Sequence, residues 1–422
     1  MLFAICKNKV IAVQRTAETQ GPIPLKFPVI NVRIFINHRK SMVLIMKTKP
    51  KIRKKMIAII CTAVLFLSVG KSADIAVAAR EAEPAAASEE TAEPAASPDC
   101  VTISLAGDCS LGKLSIHGYS GTFYEMYDLH GASCFFKNVK EIFAEDDMTL
   151  INFEGVLTDA STATPKQFNI RGKPEFNQIL VEGAIDAVSF GNNHNMDYGL
   201  QSMQDTIAAF AQVGIPYACN DTPGIYETEN GIRIGFVSVN EVYDGTAVET
   251  YLQNGIAALQ AQDVNLILAC CHWGEEMEHY PEDYQTELGH KCIDWGADLV
   301  VGCHPHVLQG IELYNGKYII YSLGNFCFGG NKNPKNKDTM ILQATFPVTD
   351  GTVSKEAQLK IIPCTISSVS DRNDYCPTVA DPERAASIIQ KMNAYSEPFG
   401  ITIDQAGGVA KTPPAKTQNT IS

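Results

Sequence analysis

The chain has 422 residues, 45% of them apolar and 19% charged, with 34 Lys+Arg against 47 Asp+Glu. From residue 80 onward the imbalance deepens to 20 basic against 45 acidic residues, a net charge near −25. Such a surface repels nucleic acid, whose binding needs basic patches, so nucleic acid is excluded as a partner.

In chain order, residues 1–45 carry no sustained amphipathic period. They are followed by MKTKPKIRKKMIAIICTAVLFLSVGKSADIAVAAR, in which the basic stretch Lys47–Lys55 precedes an apolar run from Met56 to Gly70, with small residues at 76–79. That order is the order of a secretory leader. The run is short for a membrane-spanning helix, which wants about 20 residues. Residues 1–79 are therefore expected to be an N-terminal extension plus a signal peptide or, uncleaved, a signal anchor, with Met46 as the expected start. The mature protein is placed outside the cell, secreted or on the extracellular face of the membrane. Residues 80–99, rich in Ala, Glu, Pro and Ser, cannot bury enough surface to offset their ordering entropy and read as a disordered linker. The globular domain is expected over 100–406, and 407–422 as a disordered tail. Eleven of the 13 cysteines lie beyond the leader. An odd number cannot all pair, and several sit in apolar runs such as ILACCHWG, so buried free thiols are expected.

From Cys100 the chain alternates β-prone runs with helical stretches. VTISLAGD, DMTLINFEG, DAVSFGNNH, VNLILACCHWG, ADLVVGCHPH and KYIIYSLGNF read as buried strands. PEFNQILVEGA, LQSMQDTIAAFAQVG and YPEDYQTELGHKCIDWGA read as helices. The pattern predicts an α/β fold, a layered domain with central β-sheets flanked by helices. In such folds the carboxyl ends of strands form the ligand crevice. Here those ends carry Asp108, Glu154, Asn193, His194, His272, His304 and His306. One polar residue at a strand end is ordinary turn chemistry, and lone histidines such as His117, His130, His279 and His290 are expected to find a neighbour. Six strands ending in carboxylate, amide and imidazole point instead to one or two divalent metal ions, Zn, Mn or Fe. In GCHPHV, read as extended, His304 and His306 share a face because side chains alternate with period two. After His272, Glu275 or Glu276 is a further candidate near substrate or ligands. Two ions about 3.5–4 Å apart would activate a water at a phosphoryl group, and a metal-free histidine could protonate the leaving group.

AGD at 106–108, NFEG at 152–155, GNNHNMDYG at 191–199, CHWGEE at 271–276, GCHPHVLQGIE at 302–312 and SLGNF at 322–326 together resemble the CapA family of bacterial capsule-synthesis proteins. That family is associated with poly-γ-glutamate and is similar in turn to the calcineurin-like metallophosphatases. The resemblance covers roughly residues 100–405. It implies Asp108, Glu154, Asn193, His272, His304 and His306 as metal ligands, His194 as general acid and Asp197 as its orienting partner. Glu276 and Asn325 would face the same crevice. Two departures stand out: Asp108 is followed by Cys109 and Ser110 where a histidine is usual two residues on, and Glu154 replaces the bridging aspartate. The implied function is an exported or membrane-tethered capsule-synthesis protein, working with a membrane complex on an anionic surface polymer, with a phosphoesterase-like site. The alternatives are a free-standing extracellular phosphoesterase acting on nucleotides or sugar phosphates, and a non-catalytic assembly subunit.

Overall fold

The computed structural model describes residues 99–412 and, ahead of them, an antiparallel pair of strands, Arg33–Asn37 and Ser41–Ile45. The leader and linker expected at 46–98 lie outside the described residues. Among the described residues no helix is long and apolar enough to cross a membrane.

The first sheet begins with β1 (Cys100–Ser110), β2 (Met148–Phe153), β3 (Ala187–Ser189) and β4 (Tyr217–Ala218), laid parallel in that order. The second contains β5 (Gly224–Glu227), β6 (Arg233–Asn240), β7 (Leu266–His272), β8 (Leu299–Cys303), β9 (Ile311–Tyr314) and β10 (Lys317–Ile320), in spatial order 5-6-7-8-10-9. The chain then returns to the first sheet. There β11 (Asn325–Phe328) runs parallel to β1, while β12 (Asp338–Thr349), β13 (Gln358–Thr365) and β14 (Thr378–Val379) extend its far side antiparallel.

Side chains alternate across a strand, and here both faces are apolar. Ile103 and Leu105 of β1 meet Phe236, Leu268 and Val301 of the second sheet in a core between the two sheets. Ile151, Phe153 and Val188 turn the other way, onto α1 (Phe123–His130), α2 (Lys140–Glu145), α3 (Asn177–Glu182) and α4 (Leu200–Val213). Val239, Ala269 and Val300 do the same toward α5 (Val248–Gln260) and α6 (Asp283–Trp295). α7 (Pro382–Ser396) adds Ile388, Ile389 and Met392 to the inter-sheet core. The result is four layers, helix–sheet–sheet–helix, with the parallel strands buried on both faces as their continuous apolar runs require.

The helices expected at 174–184, 200–214 and 280–297 all form, as α3, α4 and α6. KYIIYSLGNF does not form one strand. It is β10 followed by a crossover to β11 in the other sheet, because Gly324 has φ +68° and its carbonyl accepts the Asp108 amide at 2.9 Å. Of the tail expected at 407–422, Val409–Lys411 instead pairs with Ile401–Ile403 as a hairpin, and 413–422 lie outside the described residues. All eleven cysteines from Cys100 onward are free and nine are buried.

At the amino ends of the strands, carboxylates cap exposed backbone amides. Asp147 accepts from Thr102 N at 2.8 Å, Asp186 from Thr149 N at 2.9 Å and Asp298 from Ile267 N at 3.0 Å.

Candidate metal centre

The carboxyl ends of β1, β2, β3, β7 and β8 converge. Asp108 sits near the end of β1 and Glu154 just after β2. Asn193 and His194 lie in the turn after β3, His272 ends β7, and His304 and His306 follow β8. β11 lies against β1 so that Asn325 is in register with Asp108. That pairing needs glycine at 107, where a Cβ would stand 1.9 Å from the Gly324 carbonyl oxygen. This is the physical content of the AGD and LGN motifs.

Glu154 occupies the middle. Its side chain is fully buried, and its Oε1 has no hydrogen-bond partner. Around that oxygen stand His272 Nε2 at 3.7 Å, His306 Nε2 at 3.8 Å and His194 Nε2 at 3.9 Å. On one side, His272 Nε2 lies 3.1 Å from both Asn193 Oδ1 and His304 Nδ1. On the other, His306 Nδ1 lies 2.9 Å from Asn325 Oδ1 and 3.2 Å from Asp108 Oδ2. Two groups of donors thus share one carboxylate. Glu154, His304 and His306 by themselves could hold a metal ion. Buried polar atoms are almost always paired, and a lone carboxylate oxygen ringed by imidazole nitrogens has the donor chemistry of a divalent cation site.

The charges agree. Burial, with the adjacent Asp108 charge, pushes the Glu154 carboxyl up to about 8. Burial lowers His272 well below its ordinary value and His304 to about 4, with the neighbouring imidazoles adding to both. At His306 burial works in the same lowering sense, but Glu154 and Asp108 outweigh it and raise the ring to about 10. The carboxylates thus draw in a positive charge, and His306 is the group that supplies it within the protein.

His194 stands apart from the donor clusters. Its Nδ1 lies 2.7 Å from Asp197 Oδ2, and since a carboxylate only accepts, Nδ1 carries the proton and Nε2 faces Glu154. Burial holds its pKa below the ordinary value, and Asp197 opposes that shift. Asp197 is itself fixed by the Ile170 amide at 2.5 Å.

The extended reading of GCHPHV is corrected. His304 and His306 have φ of +98° and +59°, so their convergence comes from two left-handed residues and not from strand alternation. Such conformations cost on the order of 1–3 kcal/mol each and collect at functional sites. Glu276 is exposed and lines the cleft over the centre. His279 and His290 find other partners, Leu308 O at 3.0 Å and Glu312 at 2.9 Å. His117, by contrast, lines the cleft.

Three contributors carry no strong signal in the sequence. Lys166 Nζ reaches Asp197 Oδ1 at 2.5 Å and donates to Asn193 O at 2.7 Å. Asn152 donates to Asp108 Oδ1 at 2.7 Å and lies 3.3 Å from His272 Nδ1. Ser110, at the departure from the usual histidine, donates to Glu154 Oε2 at 3.4 Å. The asparagine of NFEG was the one nearest to view.

Fold and centre together define a layered α/β protein with a histidine–carboxylate centre at its strand ends. Residues 102–330 match the family described as bacterial capsule synthesis protein PGA_cap, and the chain belongs to it. Relatives include the PGA biosynthesis protein CapA of Bacillus subtilis, 30% identical over 252 residues, which are 55% of this chain and 64% of that protein. The capsule biosynthesis protein CapA of Bacillus anthracis is 28% identical over 268 residues, 58% of this chain and 63% of its own length. A probable polyglutamine synthesis accessory protein of Mycobacterium tuberculosis is 25% identical over 256 residues, 52% of this chain and 66% of its own. The chain thus spans just under two thirds of the two Bacillus relatives. Among solved structures, TT1561 of Thermus thermophilus aligns with 59% of this chain and all of its own, at 12% identity and a TM-score of 0.35, too distant to carry an argument.

Proposed function

We propose that this protein serves capsule synthesis, in making or exporting an anionic surface polymer such as poly-γ-glutamate, through a metal-dependent site of phosphoesterase type. Family membership supports the capsule role. The observation that carries the chemistry is the partnerless Glu154 Oε1 with three imidazole nitrogens 3.7–3.9 Å away. Export, with the protein secreted or held at the extracellular face of the membrane beside a capsule-synthesis complex, rests on the basic–apolar–small order of residues 47–79.

Asp108, Glu154, Asn193, His272, His304 and His306 would hold one or two divalent ions, Zn, Mn or Fe. Such ions supply Lewis-acid polarisation of a phosphoryl oxygen and a more acidic bound water. The chain's own groups do the rest. Asp197 fixes the His194 ring with Nε2 toward the centre, and Lys166 fixes Asp197. In hydrolysis a water oxygen bonds to phosphorus and the P–O bond to the leaving alcohol breaks. The alcohol oxygen takes its proton from Nε2 of the charged His194 ring, and the water's surplus proton leaves to solvent. Ser110 where a histidine is usual gives one donor group an imidazole fewer, which favours a second reading, an assembly subunit that keeps its metal for structure.

The test is metal content of the purified full chain, with hydrolysis of a generic phosphate monoester and diester. The expected result is one or two transition-metal ions per chain, lost in His304→Ala/His306→Ala. In His194→Ala metal is retained and turnover falls about 10²–10⁴-fold, the ordinary contribution of a general acid. Metal without turnover supports the assembly reading, and a chain that takes up no metal refutes both.

A further inference from the structure

We propose that the cleft over the metal centre recognises phosphate esters whose leaving alcohol carries an apolar body, held on a wall made by Ile116, Phe168 and Met277. The proposal rests on the phosphoesterase-type reading and names its substrate class. A cavity of about 570 Å³ opens onto Glu154, His194, His306 and Asn325. That is far more room than a phosphate needs, and within the range of small-molecule sites, about 300–1,000 Å³.

Ile116, Met277 and Phe168 line this cavity while being 67%, 55% and 42% exposed. Single exposed apolar side chains are common, but several gathered in one concavity mark a binding surface. These three are also tied to the chemistry. Phe168 precedes Asn169, whose Nδ2 donates to Asp197 O at 3.1 Å, and Ile170, whose amide holds the Asp197 carboxylate. It therefore lies two residues ahead of the strand Ile170–Gly172, whose first amide fixes the partner of the general acid. Leu114 pairs with Ile170, and the Ser115 amide donates to Asn169 O at 2.9 Å. Ile116 follows in the turn that the His117 amide closes on Leu114 O at 3.0 Å, and it lines the same cleft as Phe168.

Met277 is anchored to the other side of the centre. Its amide donates to Pro305 O at 2.8 Å, between the two histidine ligands, and its φ is +69°. A left-handed position normally favours Gly or Asn. Here it turns a long apolar side chain into the cleft. The leaving alcohol must lie beside Nε2 of His194 to take its proton, so its body lies in the cleft between Phe168–Ile116 and Met277. The same cleft is also lined by Asn333, Lys335 and Asn336, groups suited to hydroxyl or anionic substituents.

The test uses metal-loaded full-length chain. Calorimetry measures binding of non-hydrolysable n-alkyl phosphonates from methyl to octyl, and of benzyl and naphthylmethyl phosphonate. In parallel, kcat/KM is measured for the n-alkyl phosphates, whose alcohols differ little in acidity. We expect affinity and kcat/KM to rise about two- to fourfold per methylene until the wall is covered. Phe168→Ser and Met277→Ser, checked for unchanged metal content, should bring the octyl-to-methyl ratio toward one. A steady gain along the alkyl series assigns a lipid-like body, and a preference for the aryl compounds assigns a flat aromatic one. Phosphonates that bind with the chain-length gain while no ester is hydrolysed would sink the phosphoesterase reading and leave this recognition standing. Binding that ignores chain length, or a gain that the serine variants leave intact, overturns the proposal.

Discussion

Buried or half-buried acids sit at both ends of the strands, and the two ends treat them oppositely. At the amino ends Asp147, Asp186 and Asp298 each accept a backbone amide, and Asp298 adds Lys317 at 2.9 Å and Lys355 at 3.0 Å. At the carboxyl ends Asp108 and Glu154 have no lysine or arginine beside them among the described residues, and one Glu154 oxygen has no partner at all. The first set closes the fold's own hydrogen-bond ledger. At Glu154 the ledger stays open, while Asp108 accepts from Asn152, and an open buried carboxylate oxygen calls for something else to complete it. The lesson is that satisfaction by the protein, and not burial or residue type, separates a structural acid from a ligand.

The contrast can be broken most directly at Asp298. Asp298→Ala should destabilise the protein by about 3 kcal/mol, since it strands a buried amide and two lysines. Chemical denaturation should show that loss with metal content unchanged. Loss of metal as well would show that the two ends are not independent. Glu154→Gln should do the reverse in chelator. Removing a buried carboxyl that the fold holds largely protonated at neutral pH is expected to stabilise the metal-free protein by about 1–3 kcal/mol, while metal content drops in elemental analysis. A destabilised metal-free variant would mean that Glu154 is satisfied without an ion.

A finer probe is Lys166→Met, which leaves every proposed ligand side chain in place but frees Asp197. Turnover should fall about 10–100-fold, the usual range for a group that orients a functional side chain. Lys166→Arg should recover part of it, and equal turnover in all three proteins would remove Lys166 from the site. A last probe, read in pH dependence and not in activity, is Asp146 at the amino ends. Burial raises its carboxyl from 3.8 to about 7. Between those values the folded chain holds the proton that the unfolded chain has lost, so the stabilising contribution is full below about pH 4 and fades as pH rises through 7. Asp146→Asn should therefore gain on the parent between pH 4 and pH 8, by up to about 4 kcal/mol. Denaturation at the two pH values reads that difference, and a gap that stays constant would refute it.

Much of the carboxyl-end set was legible because its signal is local. An apolar run that stops at Asp, Glu or His declares both the strand and the residue at its tip, and GNNHNMDYG places a donor and an acid within two adjacent positions. The amino-end acids were just as visible, in EDDMTLINF, AIDAVSF and GADLVV, yet nothing in those letters says that each meets a neighbouring strand's amide. Lys166, in TATPKQFN, has no period and no flanking run. Its role follows only from the loop crossing to Asp197. The HPH segment shows the limit from the other side: both histidines were identified, but the backbone that aims them is left-handed where extended chain was expected.

By itself, then, the sequence determined the alternation of strands and helices and the burial of the parallel strands on both faces, and it named most of the candidate residues that converge at the strand ends. Each of these depends on residues within a few positions of one another. The tertiary structure alone decided that β11 returns to lie against β1 and sets Asn325 beside Asp108. It also decided which carboxylates are capped and which stay open, and how three apolar side chains from separate loops come to share one cleft. Those outcomes depend on contacts between segments up to about two hundred residues apart, where close packing and hydrogen-bond satisfaction, and not local preference, choose the partner.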